Sequence, residues 1–328
     1  MPPIRNADTD SSPRRWLALH AGSLGDCVLA IHLLSALRSG GRPVVVMLAA
    51  RSSVAEWAAK NGLIESAMSH DRLMNSRSNL DIMVTAVPAG RFEGVVSFVG
   101  ECSVAFQEQL RGVCGGPVHV VDPRAREGTA RAGHHITQQW AADLVALGCD
   151  VDMTRIGTAT LTGDPRSERR RAKADCFASE EERSVLIHPG SGGLKKCLSL
   201  KLLEGLAATI QRGGHRVSWM IGPDEVERFG PSFTERHEGS ARVIYEEHIG
   251  NAADIVAGAD LFIGHDAGMT HVAAMTGTKT IAAFGPTDPR VWRPLGPHVE
   301  VILFPEDNAT PARWLESVAE RITQIVSK

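Results

Sequence analysis

No stretch of this 328-residue sequence approaches the roughly 20 consecutive apolar residues that a membrane-spanning helix needs. Six cysteines are present, Cys27, Cys102, Cys114, Cys149, Cys176 and Cys197, but none forms a C-x-x-C pair. That argues against a zinc or dithiol redox centre and for reduced, mostly buried thiols. Neither sign of charge dominates: 35 Lys and Arg stand against 38 Asp and Glu, a formal net charge of −3. The basic face of a dedicated nucleic-acid binder is therefore lacking. The opening residues, MPPIRNADTDSSPRR, have no apolar middle like that of a secretory signal and read as a polar leader. These absences predict a soluble, cytoplasmic protein that binds no nucleic acid, and they leave peripheral contact with a membrane surface open. The length, with 43% hydrophobic residues, suits two domains that each bury a core.

What is there is an alternation of short apolar runs and helical patterns. WLALH (Trp16 to His20) reads as a buried strand ending at a glycine-rich turn. In CVLAIHLLSALRSGG, Val28, Ile31, Leu34 and Leu37 recur at helical spacing, and Gly40 and Gly41 read as the stop. PVVVMLAA is a second strand and SVAEWAAKNG a short helix, with further strands expected at Ile82 to Val87 and Gly94 to Val99. RAREGTARAGHH reads as a basic surface loop, and ITQQWAADLVALG as a helix ended by Gly148. The charged stretch GDPRSERRRAKADCFASEEERS is expected to hold a linker, with a domain boundary between about residues 155 and 180, placed at 170. From Ser184 the strand–helix pattern restarts. It runs through SVLIHPG, a helix capped by Ser199, HRVSWMIG, NAADIVAGA, DLFIGHD, MTHVAAMTG and KTIAAFG, and closes on the amphipathic ARWLESVAERITQIVS. Such alternation predicts parallel sheets covered by helices on both faces.

In open α/β sheets ligands bind beyond the carboxyl ends of the strands, so the turns there are the candidate sites. After DLFIGH, Asp266 and Gly268 turn the chain into a helix whose first amides form an anion site. Gly268 would let a phosphate approach the backbone, Thr270 could offer a hydroxyl and His271 an imidazole. The next strand ends at FGPTDP, which puts Gly285 and Thr287 on the same rim. A second glycine-rich turn, HPGSGGLKK (His188 to Lys196), ends in lysine but lacks the P-loop spacing. A third turn, AGSLGDCV, places Asp26 where the first strand's loop meets its helix. There it is either a helix cap or a carboxylate base facing a cleft.

These pieces, in this order, resemble glycosyltransferase family 9, the heptosyltransferase-like enzymes of lipopolysaccharide assembly. GSLGDCVLAIHLLSALR, HPGSGGLKKCLSLKLLEGLA and the specific GADLFIGHDAGMTHVAAMTGTKTIAAFGPTDP carry the resemblance. It implies a GT-B fold, two Rossmann-like domains facing across a central cleft. Residues 1–170 would form the acceptor side and 171–328 the nucleotide-sugar side, with the last helix packing back on the first domain. It implies Asp26 as general base and Lys196 as a phosphate-binding catalytic residue. Donor contacts fall on Ser191, Gly222, Gly268, Met269, Thr270 and His271, with Asp266 shaping the turn. Four positions depart from the family pattern: His32 for proline, Leu198 and Ser199 for Trp-Pro, and Ala267 for Ser or Thr.

The implied activity is inverting transfer of a heptose or related sugar from a nucleotide-diphosphate sugar, ADP-heptose first, to a lipid-linked or polysaccharide-core acceptor. It needs no cofactor and no metal, and works at the inner face of the cytoplasmic membrane. Three rivals share parts of the pattern. A metal-dependent GT-A transferase would need a D-x-D motif, and Asp8 to Asp10 and Asp150 to Asp152 offer one each without a core strand before it. A GT-B sugar-nucleotide epimerase would share the donor site, and a non-catalytic nucleotide-sugar-binding protein would bind without turnover.

Overall fold

A computed structural model describes residues 14–69, 92–99, 104–159, 161, 183–237, 239–305 and 311–326. The strand expected at Ile82 to Val87, the Asp8 to Asp10 motif and the boundary at 170 lie outside the described residues.

The first half runs β1 (Arg15–Leu19), α1 (Leu24–Leu34), β2 (Leu37–Ser39), β3 (Arg42–Pro43), β4 (Val45–Ala50), α2 (Ser52–Lys60), β5 (Ser66–Ser69) and β6 (Gly94–Ser97). It continues with α3 (Val104–Cys114), β7 (Val118–Val120), α4 (Glu127–Arg131), α5 (Ile136–Ala146) and β8 (Asp150–Val151). Its main sheet is parallel, in the order β5-β4-β1-β6-β7. The order reverses direction at β1, so the loop after β1 opens at a switch point, where a crevice forms.

The second half runs β9 (Ser184–Ile187), α6 (Leu200–Arg212), β10 (Arg216–Ile221), α7 (Pro223–Phe229), α8 (Ser232–His237), β11 (Arg242–Tyr245) and α9 (Ile249–Gly258). Then come β12 (Leu261–His265), α10 (Gly268–Met275), β13 (Thr280–Phe284), α11 (Pro289–Trp292), β14 (Val299–Leu303) and α12 (Pro311–Val326). The parallel order is β11-β10-β9-β12-β13-β14. Its switch point lies between β9 and β12, the two strands that feed the HPGSGGLKK turn and the Asp266 turn. Central strands β9, β12 and β13 are buried at every position, which is why each reads as a near-continuous apolar run.

Several local expectations change. α1 stops at Leu34, and Leu37 belongs instead to β2, which pairs antiparallel with β3 and β8. Leu37 is still buried, so the apolar periodicity held while the backbone changed conformation. Gly40 and Gly41, with φ of 57° and 74°, make the tight β2–β3 turn rather than a helix stop. RAREGTARAGHH contains the short helix α4, and its arginines do not present bare charge. Arg124 pairs with Asp122, Arg126 with Asp143 and Arg131 with Glu127. Among the described residues the final helix packs on the second half. Val318, Ile322 and Val326 pack in the second half's core, Leu315 meets Gly205 of α6, and Trp314 Nε1 donates to the Leu303 carbonyl at 2.8 Å. A helix with one apolar stripe settles on the nearest unpaired apolar surface, here α6.

The two halves share a core. Val272 and Met275 of α10, with Ala253 and Val291, belong to the same buried cluster as Val28, Ile31 and Leu34 of α1. The N-termini of α1 and α10 touch. A Cβ on Gly268 would lie 2.6 Å from Leu24 Cβ, and one on Gly25 would lie 3.1 Å from His271 Cδ2.

Candidate active site

Two adjoining cavities, of about 450 and 380 Å³, open where the α1 and α10 N-termini meet. Ser23, Ser191, Gly192, Ala267 and Gly268 line both. The larger extends under the loops after β10 and β11, past Met220, Gly222, Glu225, Glu246 and Met269. The smaller is enclosed by Asp26, Leu29, Lys196, Asp266, His271 and Trp292.

Asp26 is not the cap of α1. Ser23 is, and Asp26 sits three residues on, closing a capping box. Its Oδ2 accepts from Ser23 N at 3.1 Å and from Ser23 Oγ at 2.8 Å. The box fixes the carboxylate on the cavity wall and leaves Oδ1 without a protein partner among the described residues. Beneath it, His20 Nδ1 accepts from Gly22 N at 3.0 Å and lies 3.3 Å from Cys27 Sγ. Burial drives the Cys27 thiol up to about 12, so it stays protonated.

Lys196 does not stand free. Its Nζ donates to Asp266 Oδ2 at 2.6 Å, and Thr287 Oγ1 donates to the same oxygen at 2.8 Å. Asp266 thus ties the β9, β12 and β13 loops together, and Ser191 Oγ completes the tie by donating to the Asp266 carbonyl at 2.6 Å. The Lys196 ammonium keeps two further protons for a ligand.

His265, at the end of β12, holds both ends of the β9 loop. Leu198 N can only donate, so His265 Nε2 accepts from it, at 3.0 Å. Nδ1 then carries the proton and faces the Gly190 carbonyl at 3.4 Å. Burial lowers the His265 pKa to about 4 against the opposing hydrogen bond to the Gly190 carbonyl, so the neutral ring this bridge needs is the stable one. Arg228 adds a second brace, donating from Nη2 to the Ser191 carbonyl at 3.0 Å.

Thr270 does not contribute a hydroxyl to either cavity. It is fully buried, and its Oγ1 donates to the His265 carbonyl at 2.6 Å, locking the β12–α10 turn. Gly268 lines both cavities and also makes the close contact with Leu24. The Ala267 departure leaves α10 with no side-chain cap, so no side chain occupies its leading amides. His271 is buried against α1, with Nδ1 lacking a hydrogen-bond partner among the described residues. Burial lowers its pKa to about 4, although the nearby Asp266 and Asp26 charges oppose the shift. It is therefore a neutral imidazole beside two carboxylates.

Asp26, Lys196, Asp266, Gly268, His271 and Ser191 thus meet at one cavity, and Ser191, Gly222, Gly268 and Met269 at the other; Thr270 reaches neither. Sequence reading missed His265, Arg228, Glu225 and Trp292. Only His265, one residue before the turn, carried a local signal; the others come from helices whose partners are set by tertiary packing. Of the DVD motif, Asp152 is taken up: it caps a turn through Thr154 and pairs with Arg38 at 3.3 Å.

Against known proteins, the sequence model of glycosyltransferase family 9 (heptosyltransferase) matches residues 130–322. Lipopolysaccharide heptosyltransferase 3 of Escherichia coli is 25% identical over 171 residues, 49% of this chain and 48% of that protein. The match thus spans about half the length of that curated relative. The solved family 9 glycosyl transferase of Veillonella parvula superposes with a TM-score of 0.73 at 16% identity, covering 95% of this chain and 97% of that one. The E. coli ADP-heptose lps heptosyltransferase II gives 0.70 at 16%, covering 94% and 99%. The E. coli heptosyltransferase WaaC, solved with ADP, gives 0.67 at 17%, covering 95% and 99%. At these identities the likeness is one of fold: GT-B, two Rossmann-like domains facing across a cleft.

Proposed function

The chain belongs to glycosyltransferase family 9, the heptosyltransferase family, and on that premise we propose that it moves a heptose or related sugar from a nucleotide-diphosphate donor to a lipopolysaccharide-core or other lipid-linked glycan. The observation that carries the reading is the meeting of Asp26 from the first half with Lys196, Asp266 and His271 from the second around one cavity. ADP-heptose is the proposed donor, supported by the family and by neighbours solved with ADP and with ADP-2-deoxy-2-fluoro heptose. The nucleoside lies in the larger cavity beside Gly222 and Met269. The diphosphate lies at the uncapped start of α10, by Ser191, and the sugar in the smaller cavity.

Asp26 takes the proton of the acceptor hydroxyl as that oxygen attacks the anomeric carbon. The bond from the anomeric carbon to the diphosphate oxygen breaks on the opposite face, so one displacement inverts the configuration. The diphosphate leaves with the bonding electron pair, and the α10 amides and the remaining Lys196 protons stabilise its charge. These groups supply the charge stabilisation without a metal. Residues 1–170 serve the acceptor and 171–328 the donor. No helix among the described residues is long and apolar enough to cross a membrane, and contact with the inner face of the cytoplasmic membrane comes through the lipid-linked acceptor.

The test is transfer from ADP-, UDP- and GDP-sugars, with and without a lipopolysaccharide-core acceptor. Acceptor-dependent release of ADP is expected. Transfer from UDP- or GDP-sugars alone would overturn the donor, and nucleotide-sugar binding without release in any combination would favour a non-catalytic binder.

A further inference from the structure

The larger cavity is electrically lopsided. Asp224, Glu225, Glu246 and Glu247 line it from the second half, around the loops after β10 and β11. From the first half comes Arg51, the one cation lining it among the described residues. Arg51 directly follows β4, whose end pairs with the end of β1 (Leu19 opposite Ala49), so it stands beside the turn that carries Ser23 and Asp26. Ser23 and Leu24 of the same turn share the cavity wall with Gly268 and Met269, at the uncapped start of α10. No ion pair or hydrogen bond of the Arg51 side chain is found among the described residues, and α2, which starts after it, takes no side-chain cap from it.

Charge accounting around the leaving group makes this informative. A donor diphosphate brings negative charge and gains more as the sugar departs. Lys196, the cation of the smaller cavity, is already matched by Asp266 at 2.6 Å. His271 is neutral, and the carboxylates of the larger cavity repel a phosphate. We propose that Arg51 is the diphosphate clamp of the donor. It reaches from the first half to the phosphates held at the α10 N-terminus, while the carboxylate end faces the hydroxyls of the nucleoside. A guanidinium fits this role because it is always charged and can hold two phosphate oxygens at once. Because Arg51 belongs to the other half from the rest of the donor site, donor charge also ties the two halves together. This rests on the donor reading above.

Calorimetric titration of the full chain with ADP, inorganic pyrophosphate and adenosine, for wild type, Arg51→Gln and Arg51→Lys, tests it. Arg51 is exposed, so the variants are expected to fold. Arg51→Gln should weaken ADP and pyrophosphate at least about tenfold and leave adenosine unchanged, with Arg51→Lys recovering part of the loss. Equal ADP and pyrophosphate affinity in wild type and Arg51→Gln overturns the clamp while leaving the donor site standing. A parallel loss of adenosine affinity overturns it too, since the effect would then not be one of charge. Wild type that binds neither ADP nor pyrophosphate overturns the donor reading itself, and the clamp with it.

Discussion

Leu24 and Gly268 are in such close contact that a Cβ on the glycine would sit 2.6 Å from the leucine's Cβ and 2.8 Å from its Cγ. The contact joins the start of α1 to the start of α10, and with them the two halves, between the two cavities. Gly268→Ala must therefore push α1 and α10 apart or distort Leu24, at a cost of about 1–3 kcal/mol. The expected result is a lower unfolding midpoint and weaker nucleotide binding. Adding Leu24→Ala should recover part of the nucleotide affinity. Thermal melts and titrations of both single variants and the double variant check this. Strictly additive losses would show that the two residues do not press on each other.

The Lys196–Asp266 pair makes a second prediction. Lys196→Ala should weaken nucleotide-diphosphate binding or slow transfer, since a charge-assisted hydrogen bond is worth about 1.5–3 kcal/mol. Asp266→Asn removes the charge that neutralises Lys196, but it also loosens the tie to Thr287. The two substitutions should be non-additive by about 0.5–3 kcal/mol in binding, because the residues share one hydrogen bond. A double-mutant cycle with no coupling would contradict the pair's role.

His265 predicts a contrast between two substitutions. Glutamine places an acceptor oxygen near the position of Nε2 and can still receive the Leu198 amide. Leucine fills the space but leaves that buried donor unpaired, at a cost of about 1–3 kcal/mol. His265→Gln should keep most diphosphate affinity and His265→Leu should lose it, read as a rise in donor KM larger than the fall in kcat. Equal behaviour of the two variants would show that the ring acts by volume alone.

The buried imidazoles give the pH dependence a sign. Burial lowers His32 to about 3 and His135, His265 and His271 to about 4. In the unfolded chain a histidine titrates near 6.5, at about its ordinary value. Between about 6.5 and 4 the unfolded state therefore binds more protons than the folded one, and stability falls as the pH falls. Above that window the contribution is fully present. Urea midpoints at pH 7.5 and pH 5 should show the drop, and His32→Leu should shrink it by removing one of the sites. Equal wild-type midpoints at the two pH values would contradict it.

Much of this was legible in the sequence, for reasons that can be named. β9, β12 and β13 are short apolar runs bounded by glycine or polar turns, because central strands of a parallel sheet are buried on both faces. Ser199 does cap α6, its Oγ accepting from Leu202 N at 3.3 Å, because capping is a local event. Leu37 misled because a buried residue at helical spacing does not reveal where the helix stops. Asp26 reads in the sequence as either a helix cap or a cleft-facing base; the cap is Ser23, and the two form one local box that residue types alone divide ambiguously. Thr270 reads in the sequence as a hydroxyl donor at the rim, whereas its buried hydroxyl donates to the His265 carbonyl five residues back. Lys196–Asp266, Arg228–Ser191 and Leu24–Gly268 join residues from distant parts of the chain, and no spacing rule reports them.

The proposed mechanism turns on Asp26 accepting the acceptor's proton in a transfer reaction. Asparagine can still accept from Ser23 N through its carbonyl oxygen, so Asp26→Asn is expected to fold and to bind nucleotide as wild type does. It cannot take up the proton, and the loss of a general base costs about 10²–10⁴ in rate. The decisive measurement is the turnover of Asp26→Asn with donor and acceptor saturating, beside its nucleotide affinity. Turnover lowered by that factor with unchanged affinity is the predicted result, and turnover near that of wild type would reduce Asp26 to the closing residue of a capping box and contradict the mechanism.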